Sequence, residues 1–159
     1  MKLINLNQAV YNALKFFSQN KPPRLDLSRI DFPLVVGSGN AYNTGLILFS
    51  KKKALYADES TFKDTIKKYQ PLIKKKVIKE AVIISSSDEK DSVWEIELAK
   101  KNHLQATLIT CSPHSSAAKI SPKTIAFRKI AEPYTYNVST YLGMILSLTK
   151  EKPEAILNF

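Results

Sequence analysis

The chain of 159 residues has the common length of one domain, and its 44% hydrophobic and 24% charged residues are typical of a folded globular protein rather than a disordered chain. Its formal net charge of +10 would suit an anionic partner, but no aromatic residue interrupts the lysine runs, which argues against nucleic-acid binding. No stretch approaches the ~18 consecutive apolar residues that a membrane span requires, so we expect no membrane insertion.

The first predicted elements alternate between helix and strand. Apolar residues recur at spacings of three and four over about 5–19, which predicts a helix. The short apolar run 34–36 is typical of a strand buried on both faces, and a glycine-containing turn follows it. A second helix over about 41–50 and a second strand over 54–57 come next.

The middle of the chain continues this alternation. A third helix is predicted from about 61 into the 70s, with Pro71 expected to kink or divide it. The run 81–84 is the clearest strand of the sequence. Ser92, with Glu95 three residues later, forms a capping-box pattern that predicts a helix start at Ser92.

The last third of the chain predicts two more strands and a final helix. The strands are expected at 106–111 and 124–127, joined by a loop that contains two prolines. The pair Glu132-Pro133 is expected to open the final helix, because proline suits a first helical turn.

This order of elements predicts one α/β domain over 1–159, with a core over about 34–150. The fold class is a three-layer α/β/α sandwich around a five-stranded parallel sheet of order 2-1-3-4-5, a flavodoxin-like arrangement. In that order strands one and three are neighbours, and their following helices leave on opposite faces. Ligands bind at such a switch point, outside the carboxyl ends of the strands.

Two polar loops meet at the predicted switch point, and each leads into a helix N-terminus, where unpaired amides favour an anion. The predicted anion-binding residues are Gly37, Ser38, Gly39, Asn40, Ser85, Ser86, Ser87 and Lys90. Either loop alone could be a purely structural turn. A dinucleotide fingerprint is the rival interpretation, since Asp58 lies 21 residues after Gly37, but Tyr42 occupies the position of its third glycine.

Four segments in order resemble the sugar isomerase (SIS) domain family: LVVGSGNAYNTG, AVIISSSDEKDS, QATLITCSP and AEPYTYNVSTYLG. The resemblance covers about residues 34–150. Members bind the phosphate of a phosphosugar with the serine-rich loop after the third strand, and many interconvert aldose and ketose phosphates. By this resemblance Ser85 and Ser87 match the two loop serines, and Ser38 and Asn40 match the loop after the first strand. The last segment looks most like the end of the first domain of two-domain phosphoglucose and phosphomannose isomerases.

The serine loop departs from the family pattern Ser-x-Ser-Gly-x-Thr at two positions. Asp88 stands in place of the glycine and Lys90 in place of the threonine. An aspartate repels a phosphate, whereas Lys90 can offset that repulsion as a point charge. These departures favour the alternative that the chain is a non-catalytic sugar-phosphate module.

Isomerisation through an enediol needs a base, and ring opening usually needs a second acid-base group. The resemblance implies Glu132 as the base, although an acid at a helix start is also explained by the helix dipole. His114 follows the fourth strand on the ligand side and is the candidate for ring opening, whereas His103 is interpreted as a surface residue at a helix end.

The leading hypothesis is an aldose-ketose phosphosugar isomerase, or a domain derived from one, that needs no cofactor and no metal. The resemblance implies a homodimer, a tetramer or pairing with a second SIS domain. Cys111 is the single cysteine and the N-terminal stretch has no cleavable apolar signal, so we expect a cytoplasmic protein. The lysine runs are interpreted as solvated helix ends.

Overall fold

A computed structural model describes residues 4–86, 90–132, 137–149 and 151–157, with the backbone only at Lys90. The described residues form two compact units. One unit comprises Leu27–Ala126 and carries the whole sheet, and the other combines the chain up to Asp26 with the chain from Phe127 onward. None of the helices in these described ranges is long and apolar enough to cross a membrane.

Helices and strands alternate along the chain, as the sequence predicts. The helices are α1 Leu6–Gln19, α2 Asn40–Leu48, α3 Phe62–Lys74, α4 Lys90–Lys101, α5 Ser116–Ile120, α6 Val138–Leu148 and α7 Pro153–Leu157. The strands are β1 Leu34–Val36, β2 Leu55–Ala57, β3 Glu80–Ser85, β4 Gln105–Thr110 and β5 Lys123–Ala126.

The five strands form one parallel sheet in the order β2-β1-β3-β4-β5, which confirms the predicted topology. Val36, the last residue of β1, pairs with Ala57 on one side and Ile83 on the other. Ser85, the last residue of β3, pairs with Thr110, the last residue of β4. The carboxyl ends of these strands therefore share one edge, and the crossover at β1 and β3 creates the switch point there.

Alternate residues of the central strands face opposite layers of helices. On one face, Leu34, Ile83 and Leu108 join a buried cluster with apolar residues of α3, α4 and α5. On the other face α2 packs so closely that a Cβ added at Gly45 would stand 2.8 Å from Val35 Cγ1. Burial on both faces is why β1 consists of apolar residues only.

The second unit is helical. The Asn5 side chain caps α1 by accepting a hydrogen bond from the Gln8 amide at 2.9 Å, and Phe17 of α1 is buried. Gly143 of α6 lies against that ring, since a Cβ there would stand 2.6 Å from Phe17 Cζ. α7, which the sequence analysis did not predict, also contacts α1.

The helix predicted from about 61 into the 70s is confirmed, although Pro71 does not divide it. One predicted boundary in the sheet unit, the start of α4, is wrong. α3 continues through Pro71 as one helix instead of being divided, because Ile66 and Ile73, on either side of the proline, are both buried in the core and hold the helix together. α4 begins at Lys90, so Ser92 lies inside its first turn and cannot be the cap of a capping box. The loop between β4 and β5 also contains α5, capped by Ser115.

The prediction that Glu132 opens the last helix is wrong as well. α6 begins at Val138, and Asn137, its N-cap, has a left-handed φ of 45°. Asparagine tolerates this conformation better than most residues, so the chain can turn into the helix there. Pro133, which was expected in the first turn, lies outside the described residues.

Candidate functional site

The loop after β1 depends on two glycines. A Cβ at Gly37 would stand 2.8 Å from the Ala41 carbonyl carbon, so α2 could not approach the strand as it does with a larger residue here. Gly39 is the N-cap of α2 and has φ 53° and ψ −115°, a conformation that side chains strongly disfavour. Asn40 is the first residue of α2. The loop therefore directs the start of α2 toward the carboxyl edge of the sheet.

Gly37→Ala tests this packing. We expect it to lower the free energy of unfolding by about 1–3 kcal/mol, because the clash is with helix backbone that cannot rotate away. Urea denaturation followed by circular dichroism measures the change. Ser38→Ala, at the exposed neighbouring position, is the matched control and should change stability by less than about 0.5 kcal/mol. Equal effects of the two substitutions would contradict the packing argument.

The loop after β3 is tied to the loop after β4. Ser112 Oγ donates to the Ser86 carbonyl oxygen at 3.1 Å, and the Ser112 amide donates to Thr110 Oγ1 at 2.9 Å. Ser86 is buried and Ser85 is half-buried. These bonds fix the backbone at the end of β3, from which α4 then starts.

Part of the predicted phosphate loop lies outside the described residues. Ser87 and Asp88 lie outside the described residues, as does the side chain of Lys90. The backbone of Lys90 opens α4, so the loop leads into a helix N-terminus as predicted. Their assignment to an anion site stays a prediction.

Acidic side chains stand beside the loop after β1. Ser38 Oγ donates to Glu59 Oε1 across a long 3.4 Å, and Glu59 follows β2 in the chain. Asp58, the acid of the rival dinucleotide interpretation, instead bonds within its own loop. Its carboxylate accepts from Ser60 Oγ at 2.7 Å and from the Thr61 amide at 2.9 Å, and these bonds lower the pKa of Asp58. This bonding disfavours a ribose-binding role for Asp58.

Among the described carboxyl groups, Glu95 on the second turn of α4 has the largest pKa shift. Its side chain is only 4% exposed. Burial, together with the nearby charges of Glu59 and Asp91, raises the pKa of Glu95 to about 8. Glu95 is therefore mostly protonated at neutral pH. An edge-to-face contact of Phe62 with Trp94, with centroids 6.2 Å apart, holds α3 against α4 here.

Glu132 belongs to the helical unit, where its carboxylate bonds to the start of α6. Oε1 accepts from the Ser139 amide at 2.8 Å and from Ser139 Oγ at 2.6 Å. Ser139 Oγ in turn accepts from the Ile130 amide at 3.1 Å. The other oxygen, Oε2, is buried and has no hydrogen-bond partner among the described residues. One oxygen is thus held in place by the start of α6.

Solved structures share this arrangement of strands and helices. A candidate sugar-phosphate isomerase from Listeria monocytogenes superposes with a TM-score of 0.57 at 14% identity, covering 92% of this chain and 74% of that one. The Vibrio vulnificus NanR protein complexed with ManNAc-6P gives a TM-score of 0.58 at 17% identity, covering 96% of this chain and 59% of that one. An Escherichia coli CFT073 protein in complex with a sugar phosphate gives 0.55 at 12% identity, covering 96% and 99%.

The chain has the fold of SIS-type phosphosugar isomerase domains. This confirms the fold that the four sequence segments predict. The likeness to these structures is one of fold, and the chain spans less than two thirds of the length of NanR. No protein-family model matches the sequence, and no curated protein matches it.

Within this SIS-type fold, the two histidines lie at opposite edges of the sheet. His114 is exposed in the turn between β4 and α5, at the carboxyl edge. His103 follows α4 at the other edge and lines a cavity of about 530 Å³ with lysines from the ends of α3 and α4. Lysines at helix C-termini complement the dipole, which supports their interpretation as solvated helix ends.

The sequence analysis missed Glu59 as a site residue and gave Glu95 a capping role. Glu59 follows β2 directly in a polar turn, which is the one local signal that it lies at the carboxyl edge. Glu95 sits in a helix whose apolar residues Val93 and Ile96 flank the buried face. The position of Glu95 among these apolar residues could have predicted from the sequence that its carboxyl group is buried.

Proposed function

We propose that the chain is a phosphosugar-binding domain that catalyses, or derives from a catalyst of, aldose-ketose isomerisation. The observation that carries the proposal is the switch point of an SIS-type sheet, where the loops after β1 and β3 each lead into a helix N-terminus. The Vibrio vulnificus and Escherichia coli proteins of similar fold were both solved with sugar phosphates, which supports the same ligand class here.

The phosphate is proposed to bind between the Gly37–Asn40 loop and the serine loop that begins at Ser85. The first amides of a helix have no partners within the helix and favour negative charge. In α2 the Ala41 amide already donates to the Ser38 carbonyl oxygen at 3.0 Å, so it is not one of the donors proposed here. Ser38 can join them, because its 3.4 Å bond to Glu59 is long and costs little to exchange. The assignment of Ser86, Ser87 and Lys90 to the same subsite belongs to this proposal.

Glu132 is proposed as the base that moves a proton between adjacent carbons of the sugar. The bonds from the Ser139 amide and hydroxyl fix the position of the carboxylate. The role of base rests on the resemblance to the sugar isomerase family, because Oε2 is enclosed among the described residues. His114 is proposed as the ring-opening group, since it is exposed at the carboxyl edge of the sheet.

We further propose a cytoplasmic protein that works as a homo-oligomer or with a second domain of the same kind. The single cysteine is consistent with a reducing compartment. Leu46 and Ile47 of α2 are exposed apolar residues that a partner could cover. Light scattering during gel filtration measures the assembly, and a strictly monomeric mass would contradict the oligomer.

Isothermal titration with a panel of phosphosugars tests the binding proposal. The panel contains ribose 5-phosphate, three hexose 6-phosphates and their 2-amino counterparts, with inorganic phosphate and unphosphorylated glucose for comparison. We expect at least one phosphosugar to bind. We expect Ser38→Asp to weaken that binding about tenfold or more, because a carboxylate would stand where the phosphate binds.

Ser50→Asp is the matched control, because Ser50 is exposed just beyond the other end of α2. It adds the same charge away from the proposed site and should leave the affinity unchanged. Binding of no phosphosugar would refute the proposed function. Binding that Ser38→Asp does not weaken would place the phosphate elsewhere.

A further inference from the structure

A cavity at the amino edge of the sheet, opposite the proposed phosphate subsite, is lined by positive charge. We call this space of about 530 Å³ the amino-edge cavity. Its lining includes four lysines and His103, and the lysines are Lys74, Lys76, Lys79 and Lys101. No acidic side chain of the described ranges lines it with them. The cavity lies wholly within the sheet unit, between the end of α3, the start of β3 and the end of α4.

The four ammonium groups have no hydrogen-bond or ion-pair partner among the described residues. By contrast, Lys52 Nζ donates to the Ile30 carbonyl oxygen at 2.8 Å. Glu80, which follows Lys79 in the chain, accepts from Thr107 Oγ1 at 2.6 Å instead. The C-terminal dipoles of α3 and α4 each supply only about half a negative charge. The amino-edge cavity therefore keeps an excess of positive charge.

The backbone at two cavity residues departs from what their side chains prefer. Lys76 has φ 57° and His103 has φ 61°, the left-handed conformation that favours glycine at this position. Each residue follows the C-cap of its helix in a Schellman motif. After α3 the Val77 amide donates to the Leu72 carbonyl oxygen at 2.9 Å, and the turn after α4 repeats this bond. Solvation of a helix end explains a lysine in the last turn, but it does not explain cationic residues at both glycine positions around one cavity.

The rest of the lining is suited to an organic group. Ile73 and Ile78 are 5% and 1% exposed and line the cavity. Gln70 and Asn102 add amide groups, and Asn102 Nδ2 donates to a carbonyl oxygen of its own helix at 2.8 Å, which leaves its side-chain oxygen to accept. A concave site of this volume that combines apolar and polar groups suits a small organic ligand better than a double helix or a membrane surface.

We propose that the amino-edge cavity binds a nucleoside triphosphate. The lysines donate charge-assisted hydrogen bonds to the phosphates, and the base packs on Ile73 and Ile78. A chain of three phosphates can engage several ammonium groups at once, which a single phosphate cannot. No covalent bond is made or broken. The inference is independent of the proposed function, because the phosphosugar is proposed to bind at the opposite edge of the sheet.

Isothermal titration at about 0.15 M salt, without divalent cations, tests the inference. The ligands are ATP, GTP, CTP and UTP, with inorganic triphosphate for comparison. We expect at least one nucleotide to bind about tenfold or more tightly than inorganic triphosphate, because its base buries apolar surface that the inorganic ion lacks.

The double substitution Lys74→Gln with Lys101→Gln should weaken nucleotide binding about tenfold or more, because charge-assisted hydrogen bonds are lost. Lys51→Gln with Lys53→Gln is the matched control. Lys51 and Lys53 are exposed lysines beyond the end of α2, and neither lines the cavity. The control removes the same charge from another helix end and should leave the affinity unchanged.

Lys76→Gly separates binding from a structural role. It removes an ammonium group and places glycine where the backbone is left-handed. We expect nucleotide affinity to fall about threefold or more while the melting temperature stays equal to that of the wild type or rises. Thermal denaturation followed by circular dichroism measures the second quantity. A lysine that serves only stability or solubility would not lower the affinity.

Binding of no nucleotide, or equal weakening by the two double substitutions, overturns the inference. Equal affinity for inorganic triphosphate and every nucleotide overturns the packing of the base on the isoleucines. A DNA duplex that binds more tightly than every nucleotide, and that the Lys74 and Lys101 substitutions release, would overturn it in favour of nucleic acid. Phosphosugar binding is measured separately, so failure of the proposed function leaves these outcomes unchanged.

Discussion

Replacing Glu132 with glutamine is expected to slow isomerisation by roughly 10² to 10⁴-fold while leaving phosphosugar affinity nearly unchanged. The substitution keeps the shape and removes the basicity. A glutamine carbonyl can still accept from the Ser139 amide and hydroxyl, so the start of α6 stays capped. The assay is incorporation of solvent deuterium at the carbon next to the carbonyl, which detects proton abstraction even when net turnover is slow.

Glu154→Gln is the matched control for this experiment, because Glu154 is an exposed glutamate of α7 in the same unit. It should leave deuterium incorporation unchanged. Equal incorporation by the wild type and Glu132→Gln would remove Glu132 from the role of base. No incorporation by either protein, with binding demonstrated, would favour the non-catalytic sugar-phosphate module.

The second large effect concerns the pH dependence of stability. The folded-state pKa of Glu95 is about 8, above its ordinary value of 4.5. Between these values the folded protein keeps a proton that the unfolded chain releases. The contribution of Glu95 to stability should therefore be fully present below the unfolded pKa and be lost as the pH rises toward 8, by up to about 1.4 kcal/mol per pH unit. Asp91 on the same helix and Glu59 from the loop after β2 contribute to this effect through their charges.

Glu95→Gln should remove this part of the pH dependence, since an amide does not titrate. At pH 9 we expect it to be more stable than the wild type by roughly 3 kcal/mol, and near pH 4 the two should be similar. Urea denaturation across the pH range measures both curves. Glu97→Gln, which removes an exposed charge from the same helix, corrects for net charge. Parallel curves for the wild type and Glu95→Gln would show that Glu95 is ionised in the folded protein.

Several elements follow from the sequence because their signals are local. The all-apolar run of β1 predicts a strand buried on both faces, and Leu34–Val36 is that strand. The alternation of strands with helices restricts the connections to right-handed crossovers. Among the orders that this rule allows, the predicted order β2-β1-β3-β4-β5 is the one observed. The same reasoning places the loops after β1 and β3 at one edge of the sheet.

The start of α4 and the continuity of α3 both differ from what the local sequence favours. Ser92 and Glu95 match the capping-box spacing, but α4 begins two residues earlier, at Lys90. Pro71 removes one helical hydrogen bond, yet burial of Ile66 and Ile73 keeps α3 continuous. In α3 tertiary packing thus outweighs a local preference that is worth only a few kcal/mol.

The sequence by itself determined the class of fold and the edge at which a ligand is expected, because hydrophobic periodicity and crossover handedness are properties of the chain. Only the tertiary structure decided which charges meet at that edge. Glu59 and Glu95 are 36 residues apart, and the crossover from β2 through α3 to β3 brings them together. The raised pKa of Glu95 follows from that proximity and from burial, since desolvation and Coulomb energy depend on distances in space.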